Sequence, residues 1–358
     1  MKEKLLEVVV REMQEGAVLI DSKGIILYAN PFFKKTFTID YPIEGIKFSE
    51  VVGDQLLVTT VDLVLFSRDR QSKEITIQGK GGQVLELRLI PFSQDGLNGV
   101  IGFFKDVSEE KRVEAIKRDF VANVSHELRT PLAGIKGYAE TLLDGGMEDK
   151  SVLKNFLTII DRHANRMTTL IEDLLTLSLL ESHQIPLKFE PLDIRGMITT
   201  IIQGFEKQAN DKGIELIFEC GVRNAEYGMK NGTPENEPLM VMGDRVRLEQ
   251  VIVNLVDNAI KYTNKGSVRI SAKGFDSMLQ IDVQDTGIGI PEKDIPRIFE
   301  RFYRVDKGRS RELGGTGLGL AIVKHIIQGH NGKIWVNSKT GKGTTFSFIL
   351  PVKSGNDE

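Results

Sequence analysis

The chain has 358 residues, 47 of them Lys or Arg and 50 Asp or Glu, and its net charge of −3 offers nucleic acid no electrostatic attraction. Its 41% hydrophobic and 27% charged content are those of a soluble globular protein, and its length points to two or three domains rather than one core. The single cysteine, Cys220, excludes an internal disulfide framework, suits a reducing cytoplasm and reads as a small buried apolar residue.

No apolar run approaches the roughly 18 residues that cross a bilayer. The N-terminal MKEKLLEVVVREMQEG carries charges among its apolar residues and no signal-cleavage pattern. A cytoplasmic location is expected, either free or as the cytoplasmic part of a longer protein tethered to the inner face of a membrane.

Residues 1–107 read as a small mixed domain. GAVLIDS and GIILYAN are short strand-like runs separated by a Ser-Lys-Gly turn. Asn30-Pro31 reads as a helix start, with Asn as cap and Pro in the first turn. KEITIQ, QVLELRLIPFS and GVIGFFKDVS are three further strand candidates. Val84, Leu85, Leu87 and Leu89 partly alternate with Glu86 and Arg88, the pattern of a half-buried strand. The expectation is a five-stranded antiparallel sheet with helices, placed between the second and third strands, on one side.

From Ser108 the period becomes helical, with Val113, Ile116, Phe120 and Val124 in register. One long helix is expected to about Asp144, ended by Asp144-Gly145-Gly146. Pro131 withholds the hydrogen bond to the carbonyl of Glu127, so a modest bend is expected there. A second helix, roughly 149–182, carries the stripe Leu153, Leu157, Ile160, Ala164, Met167, Ile171, Leu174 and Leu177. Two such helices joined by a short loop form a hairpin that buries its apolar faces poorly. Pairing with a second copy into a four-helix bundle is the natural solution.

The first of these helices carries the most chemistry. Residues 120–132 read FVANVSHELRTPL. His126 and Thr130 are four apart and share a helix face, with Glu127 beside them. An imidazole attacks as a nucleophile through a free lone pair, and a neighbouring carboxylate accepts the proton it loses.

Residues 186–352 form a third unit of mixed strands and helices, with GVRNAEYGMKNGTPENEP as an exposed loop of no assigned role. Four clusters follow in order. In LEQVIVNLVDNAIKYT, Leu248, Val251, Ile252, Leu255, Val256 and Ala259 make a buried stripe. Asn254, Asn258 and Lys261 fall on another face. Two asparagines there suggest oxygens for Mg²⁺, and the lysine a charge near phosphate. In VQDTGIGIP, Asp285 ends a strand and is followed by spaced glycines that let backbone approach a flat ring. A carboxylate there accepts from the amino group of adenine, which selects ATP over GTP. IFERFYRVD offers Phe299 and Phe302 as packing anchors, with Arg301 and Arg304 as candidate phosphate contacts. GGTGLGLAIVKHI is a glycine-rich turn feeding a helix, which brings N–H groups and a helix N-terminus to phosphates. A late strand over 341–348 completes the unit.

Together these motifs resemble bacterial sensor histidine kinases of two-component systems, in particular the cytoplasmic part of phosphate- or respiration-sensing kinases. The resemblance covers nearly the whole chain. It implies a multidomain α+β protein: a PAS-like antiparallel sheet domain at 1–107 and a dimerisation and phosphotransfer hairpin at 108–184, forming a four-helix bundle by dimerisation. An α/β sandwich ATP-binding domain of the gyrase, chaperone and histidine kinase type follows at 185–353, with a frayed tail at 354–358.

By that resemblance His126 is autophosphorylated from ATP, Glu127 is its acid–base partner and Thr130 orients water for phosphatase chemistry. Asn258 holds Mg²⁺ with Asn254 nearby, and Lys261 and Tyr262 contact phosphate and nucleotide. Asp285, Gly287 and Gly289 hold adenine, Arg301 and Arg304 sit where the lid reaches phosphate, and Gly315, Gly317, Leu318 and Gly319 form the phosphate-side turn. The implied partners are a second copy and a response regulator whose aspartate receives the phosphoryl group.

Two rivals stand beside this reading. A hydrolytic ATPase on the same nucleotide fold would carry a Glu base four residues before the metal asparagine, where this chain has Asn254. A non-catalytic dimer module would not need the nucleotide clusters. With no His or Cys before residue 126, a His-ligated haem or Cys-linked flavin in the N-terminal domain is not expected. His163, His183, His325 and His330 lack metal-ligand spacing and read as solvated or packing residues. Trp335 is expected in the core.

Overall fold

The computed structural model describes residues 8–77, 82–94, 96–146, 149–182, 186–220, 239–275, 277–306 and 315–352. His183, the loop at 221–238 and the tail at 354–358 lie outside them. The chain divides into two compact units, Met1–Val121 and Ala122–Glu358.

In the first unit, β1 (Gly16–Asp21), β2 (Ile26–Ala29), β3 (Gln71–Thr76), β4 (Val84–Gln94) and β5 (Leu97–Asp106) form one sheet in the order β2-β1-β5-β4-β3. Every pairing is antiparallel. Between β2 and β3 lie α1 (Pro31–Thr36), α2 (Phe48–Val51) and α3 (Gln55–Ser67), as the sequence predicts. The period-2 pattern of β4 sends Leu85, Leu87 and Leu89 into a core shared with Phe33, Phe48, Leu57, Val61 and Phe104. The Phe104 ring stands edge-on to Phe33 and Phe37, at 5.1 and 5.5 Å between centroids.

Asn30 closes this unit. It is fully buried, and its Oδ1 accepts from the N–H groups of Ala17 and Phe33, each at 2.9 Å. Its Nδ2 donates to the carbonyls of Val10 and Glu15, at 3.0 and 2.9 Å. One side chain thereby caps α1 and ties it to β1 and the segment before it.

The second unit begins within α4 (Ser108–Thr141), followed by a π-helical turn at Leu142–Gly146 and α5 (Lys150–Glu181). The α-helix thus ends three residues short of Asp144, and the π turn takes up the remainder. Asp149 caps α5, accepting from the Ser151 N–H at 2.7 Å, and Tyr138 meets Phe156 across the hairpin at 5.0 Å. Pro131 is buried inside α4. Of the predicted stripe, Leu157, Ala164 and Ile171 are exposed and Leu177 is buried; beside it, Leu175 is exposed and Leu170 buried.

The remainder is a helix layer on a mixed sheet. β7 (Ile214–Cys220), β9 (Gly266–Phe275), β10 (Met278–Asp285), β11 (Lys333–Lys339) and β12 (Gly343–Pro351) run in the order β11-β12-β10-β9-β7. Only β7–β9 is parallel. β6 (Glu190–Asp193) pairs with β8 (Met240–Gly243). The helices are α6 (Ile194–Lys212), α7 (Arg245–Tyr262) and α8 (Gly319–Gly329). The predicted stripe of α7 is buried throughout, joined by Ile260. Trp335 departs from expectation. It lies on the edge strand β11 and is 41% exposed, because its side of that strand alternates away from the helix layer. Cys220, expected to be buried, is only partly covered at the end of β7.

Asn30→Ala leaves buried donors and acceptors of β1 and α1 unpaired. It should destabilise the first unit by about 2–4 kcal/mol, read in urea unfolding as an earlier transition of that unit alone.

Candidate functional site: a nucleotide cavity beside a histidine-bearing helix

A cavity of about 280 Å³ opens between α7, the end of β10, the segment after it and the glycine turn before α8. Of the predicted nucleotide residues, Asn254, Asn258, Lys261, Tyr262, Asp285, Gly289, Arg304, Gly315, Gly317 and Gly319 line it. Because α7 buries its apolar stripe, its polar residues at i, i+4 and i+7 are presented together. Asp244 caps the N-terminus of α7, accepting from Arg247 N–H at 3.1 Å. Lys212 closes the other end by donating to the Ile260 carbonyl at 2.9 Å.

Asp285 is 6% exposed. Its Oδ1 accepts from Gly287 N–H at 2.8 Å and Thr344 N–H at 3.2 Å, which fixes the carboxylate against the cavity. Burial pushes its pKa up, and those two hydrogen bonds oppose the shift. Gly289 adopts φ +69°, and a Cβ there would lie 2.2 Å from the Lys339 carbonyl oxygen, so only glycine carries the chain past β11. At Gly319 a Cβ would lie 2.6 Å from Asn254 Oδ1, so a side chain there would push the Asn254 amide aside. The Asn254 amide meanwhile donates to the Gln250 carbonyl at 2.9 Å.

Three predicted residues stand off the cavity wall. Gly287 braces Asp285 from behind. Leu318 is fully buried, and its N–H bonds to Thr316 Oγ1 at 3.3 Å. Arg301 pairs with Glu181 at the end of α5. Lys261 reaches Asp257 at 2.6 Å, an i,i+4 pair. The expected anchors sit where the motif put them. Phe299 packs edge-on to Phe346 at 6.3 Å. Phe302 takes a left-handed φ of +61° while its N–H bonds to the Gly317 carbonyl at 2.8 Å.

The hairpin contributes to the same region. His126 is exposed on α4, and Thr130 Oγ1 donates to its carbonyl at 3.2 Å. Glu127 Oε2 receives Arg166 of α5 at 3.1 Å and Arg304 of the cavity wall at 3.0 Å. Asp173 of α5 accepts from Thr316 in the glycine turn at 2.7 Å. Burial raises the pKa of Asp173, opposed by that hydrogen bond. Thr169 of α5 also lines the cavity.

Sequence reasoning missed Asp257, Tyr303, Thr344, Asp173 and Arg166. The i,i+4 spacing to Lys261 is a signal that could have found Asp257. Tyr303 and Thr344 lie within runs already singled out, 298–306 and 341–348, whereas Asp173 and Arg166 come from the hairpin with no local pattern.

Residues 243–354 match the family model described as histidine kinase-, DNA gyrase B- and HSP90-like ATPase, and residues 116–183 match the His Kinase A phospho-acceptor domain. The sensor protein kinase WalK of Staphylococcus aureus is 31% identical, over 98% of this chain and 82% of that protein. The chain belongs to the sensor histidine kinase family. The sensor histidine kinase WalK of Bacillus subtilis (strain 168) is 35% identical over 98% of the chain. The chain spans 56% of that relative's length. Histidine kinase ThkA, solved in complex with response regulator protein TrrA, has the same fold at 23% identity and a TM-score of 0.53, covering 100% of both chains. The ATPase match makes ATP binding a property of the third segment. Among the described residues, no helix is long and apolar enough to cross a membrane.

One histidine outside the cavity ties its two helices together. His330 is 1% exposed; its Nε2 accepts from Asp244 N–H at 2.9 Å and its Nδ1 donates to the Ile326 carbonyl at 2.8 Å. Burial pushes its pKa down. A depressed imidazole pKa favours protonation of the unfolded chain, so this contribution is present above about pH 6.5 and lost as pH falls below it. Urea midpoints of the wild-type protein should drop from pH 7.5 to 5.5. His330→Gln should flatten that slope and lower stability at pH 7.5.

Proposed function

We propose that this kinase phosphorylates itself on His126 from ATP, then passes the phosphoryl group to an aspartate of a response regulator. It also removes phosphate from that regulator, with Thr130 orienting water. The observation that carries this reading is the 3.0 Å bond between Arg304, on the cavity wall, and Glu127, the acid next to His126. It joins a nucleotide cavity to the segment matched as phospho-acceptor.

In the reaction, the lone pair of one His126 ring nitrogen forms a bond to the γ-phosphorus. The bond from that phosphorus to the β,γ-bridging oxygen breaks, and ADP leaves. The proton on the other ring nitrogen passes to Glu127. Lys261 and Arg304, which line the cavity, offset phosphate charge as the transfer proceeds. Asp285 accepts the adenine amino hydrogen, Gly287 and Gly289 admit the ring, and Tyr262 contacts the nucleotide. Gly315, Gly317 and Gly319 face the phosphates, with Leu318 buried behind them.

The donor set fits Mg²⁺ brought in on the nucleotide. Asn258 would hold it through its amide oxygen, with Asn254 one turn away on the same cavity wall. When bound, Mg²⁺ neutralises phosphate charge.

The exposed Leu157, Ile171 and Leu175 suit a homodimer closed as a four-helix bundle. A PAS-like sensor at 1–107, a hairpin at 108–184 and an ATP domain at 185–353 complete the proposed organisation. The location is cytoplasmic, either free or tethered to the inner face of a membrane. The ThkA–TrrA pair supports a response regulator as partner.

His126→Gln should abolish acid-labile label from γ-labelled ATP while nucleotide binding persists. Undiminished acid-labile label in that variant would overturn the assignment. Asp285→Asn keeps an oxygen for Gly287 and Thr344 but turns an NH₂ toward adenine. It should weaken ATP binding by about tenfold or more, measured by calorimetry. Because the carboxyl pKa is raised, wild-type ATP affinity should begin to fall with acidification at a higher pH than an ordinary carboxylate would dictate.

A further inference from the structure

Glu127 is held by two guanidiniums of different origin. Arg166 lies on α5 and Glu127 on α4, two helices of one hairpin, so their pair persists however the α/β layer moves. Arg304 comes from the segment after β10 and faces the nucleotide cavity. The three side chains are well covered, with 15%, 14% and 6% of Arg166, Glu127 and Arg304 exposed. Both arginines place Nη2 on the same carboxylate oxygen, Oε2.

Arg304 is incompletely satisfied in this arrangement. Its Nε is buried with no hydrogen-bond partner among the described residues. A buried guanidinium with an idle donor gains from an anion with more acceptor oxygens. The triphosphate of ATP is such an anion, and it would lie in the cavity that Arg304 already lines. One guanidinium cannot bridge the phosphates and Glu127 with full geometry at both.

We propose that Arg166 is a positioning residue for the phosphoryl transfer, holding the Glu127 carboxylate beside His126 when Arg304 leaves it for the phosphates of ATP. This rests on the kinase reading above. Arg166 and Arg304 both hold Glu127 in this structure. When ATP draws Arg304 away, the bond from Arg166 stays, and it comes from the same hairpin as His126. Glu127 then keeps its orientation and is released from a competing partner. Its carboxylate takes the ring proton as the N–P bond forms and ADP departs, as balanced above. Orientation of an acid–base group is worth one or more orders of magnitude in rate, and it acts on the chemical step rather than on nucleotide affinity.

The test is autophosphorylation of the full chain with γ-labelled ATP and Mg²⁺, read as the rate at saturating ATP and as KM for ATP. Arg166→Gln should lower the saturated rate by about tenfold or more and leave KM within about twofold. Arg166→Lys, which keeps the charge but not the fork, should recover much of that rate. Arg304→Gln should instead raise KM for ATP. A wild-type saturated rate in Arg166→Gln overturns the inference. So does a parallel loss of rate and ATP affinity that Arg166→Lys does not repair, which marks a purely structural role. Absence of acid-labile label in the wild-type protein overturns the kinase reading and this inference with it, an outcome distinct from label that is merely insensitive to Arg166.

Discussion

The burial of one helix face organises the catalytic half of the molecule. α7 presses Leu248, Val251, Ile252, Leu255, Val256, Ala259 and Ile260 inward. Burying an aliphatic side chain is worth about 1.5–3 kcal/mol, so rotating this helix by even one position would be prohibitive. Asn254, Asn258 and Lys261 therefore meet the cavity by geometric necessity, although asparagine weakens a helix interior. The other walls are adapted to that helix. Gly319 leaves room for the Asn254 amide, and Asp285 is clamped by the N–H groups of Gly287 and Thr344.

Against this rigid frame, the polar contacts between hairpin and α/β layer have a different character. Glu127–Arg304, Asp173–Thr316 and Glu181–Arg301 are three links between one pair of surfaces. Each is polar and incompletely buried or incompletely satisfied, so none matches the stability of the α7 core. On the proposed reading, phosphates in the cavity would compete for Arg304, and rearrangement of the glycine turn would disturb Thr316 and with it Asp173. An arrangement stabilised by exchangeable ion pairs can be remade by a charged ligand at small net cost, as a phosphoryl-transfer enzyme requires when it must bring ATP to a histidine and then withdraw.

Most elements were legible because their signals are local. The Asn30 cap, the alternation of β4, the stripe of α7 and the glycine turn before α8 each declare themselves within a dozen residues. The π turn after Thr141 was not legible, since Asp144-Gly145-Gly146 announces a helix end but not the hydrogen-bond pattern that precedes it. Trp335 was misplaced because a strand pattern alone does not say which strand becomes the sheet edge. His330 read as an unremarkable packing residue. Its hydrogen bond to Asp244 spans 86 positions, and nothing local foretold it.

The sequence by itself determined the periodicities, caps and motif spacing: which helix carries His126, which strand ends in Asp285, and that an amide face and a glycine turn are there to line one cavity. Those follow from side-chain spacing and backbone sterics, which act over a few residues. Tertiary structure alone decided the partners of the charged groups. Arg301 and Arg304, both read as phosphate contacts, turn to Glu181 and Glu127 of the hairpin, and Arg166 joins Glu127 from the opposite helix. The reason is physical: a charge pairs with whatever lies within a few ångströms, and for residues up to 177 positions apart that distance is set by packing of the whole unit rather than by the chain around them.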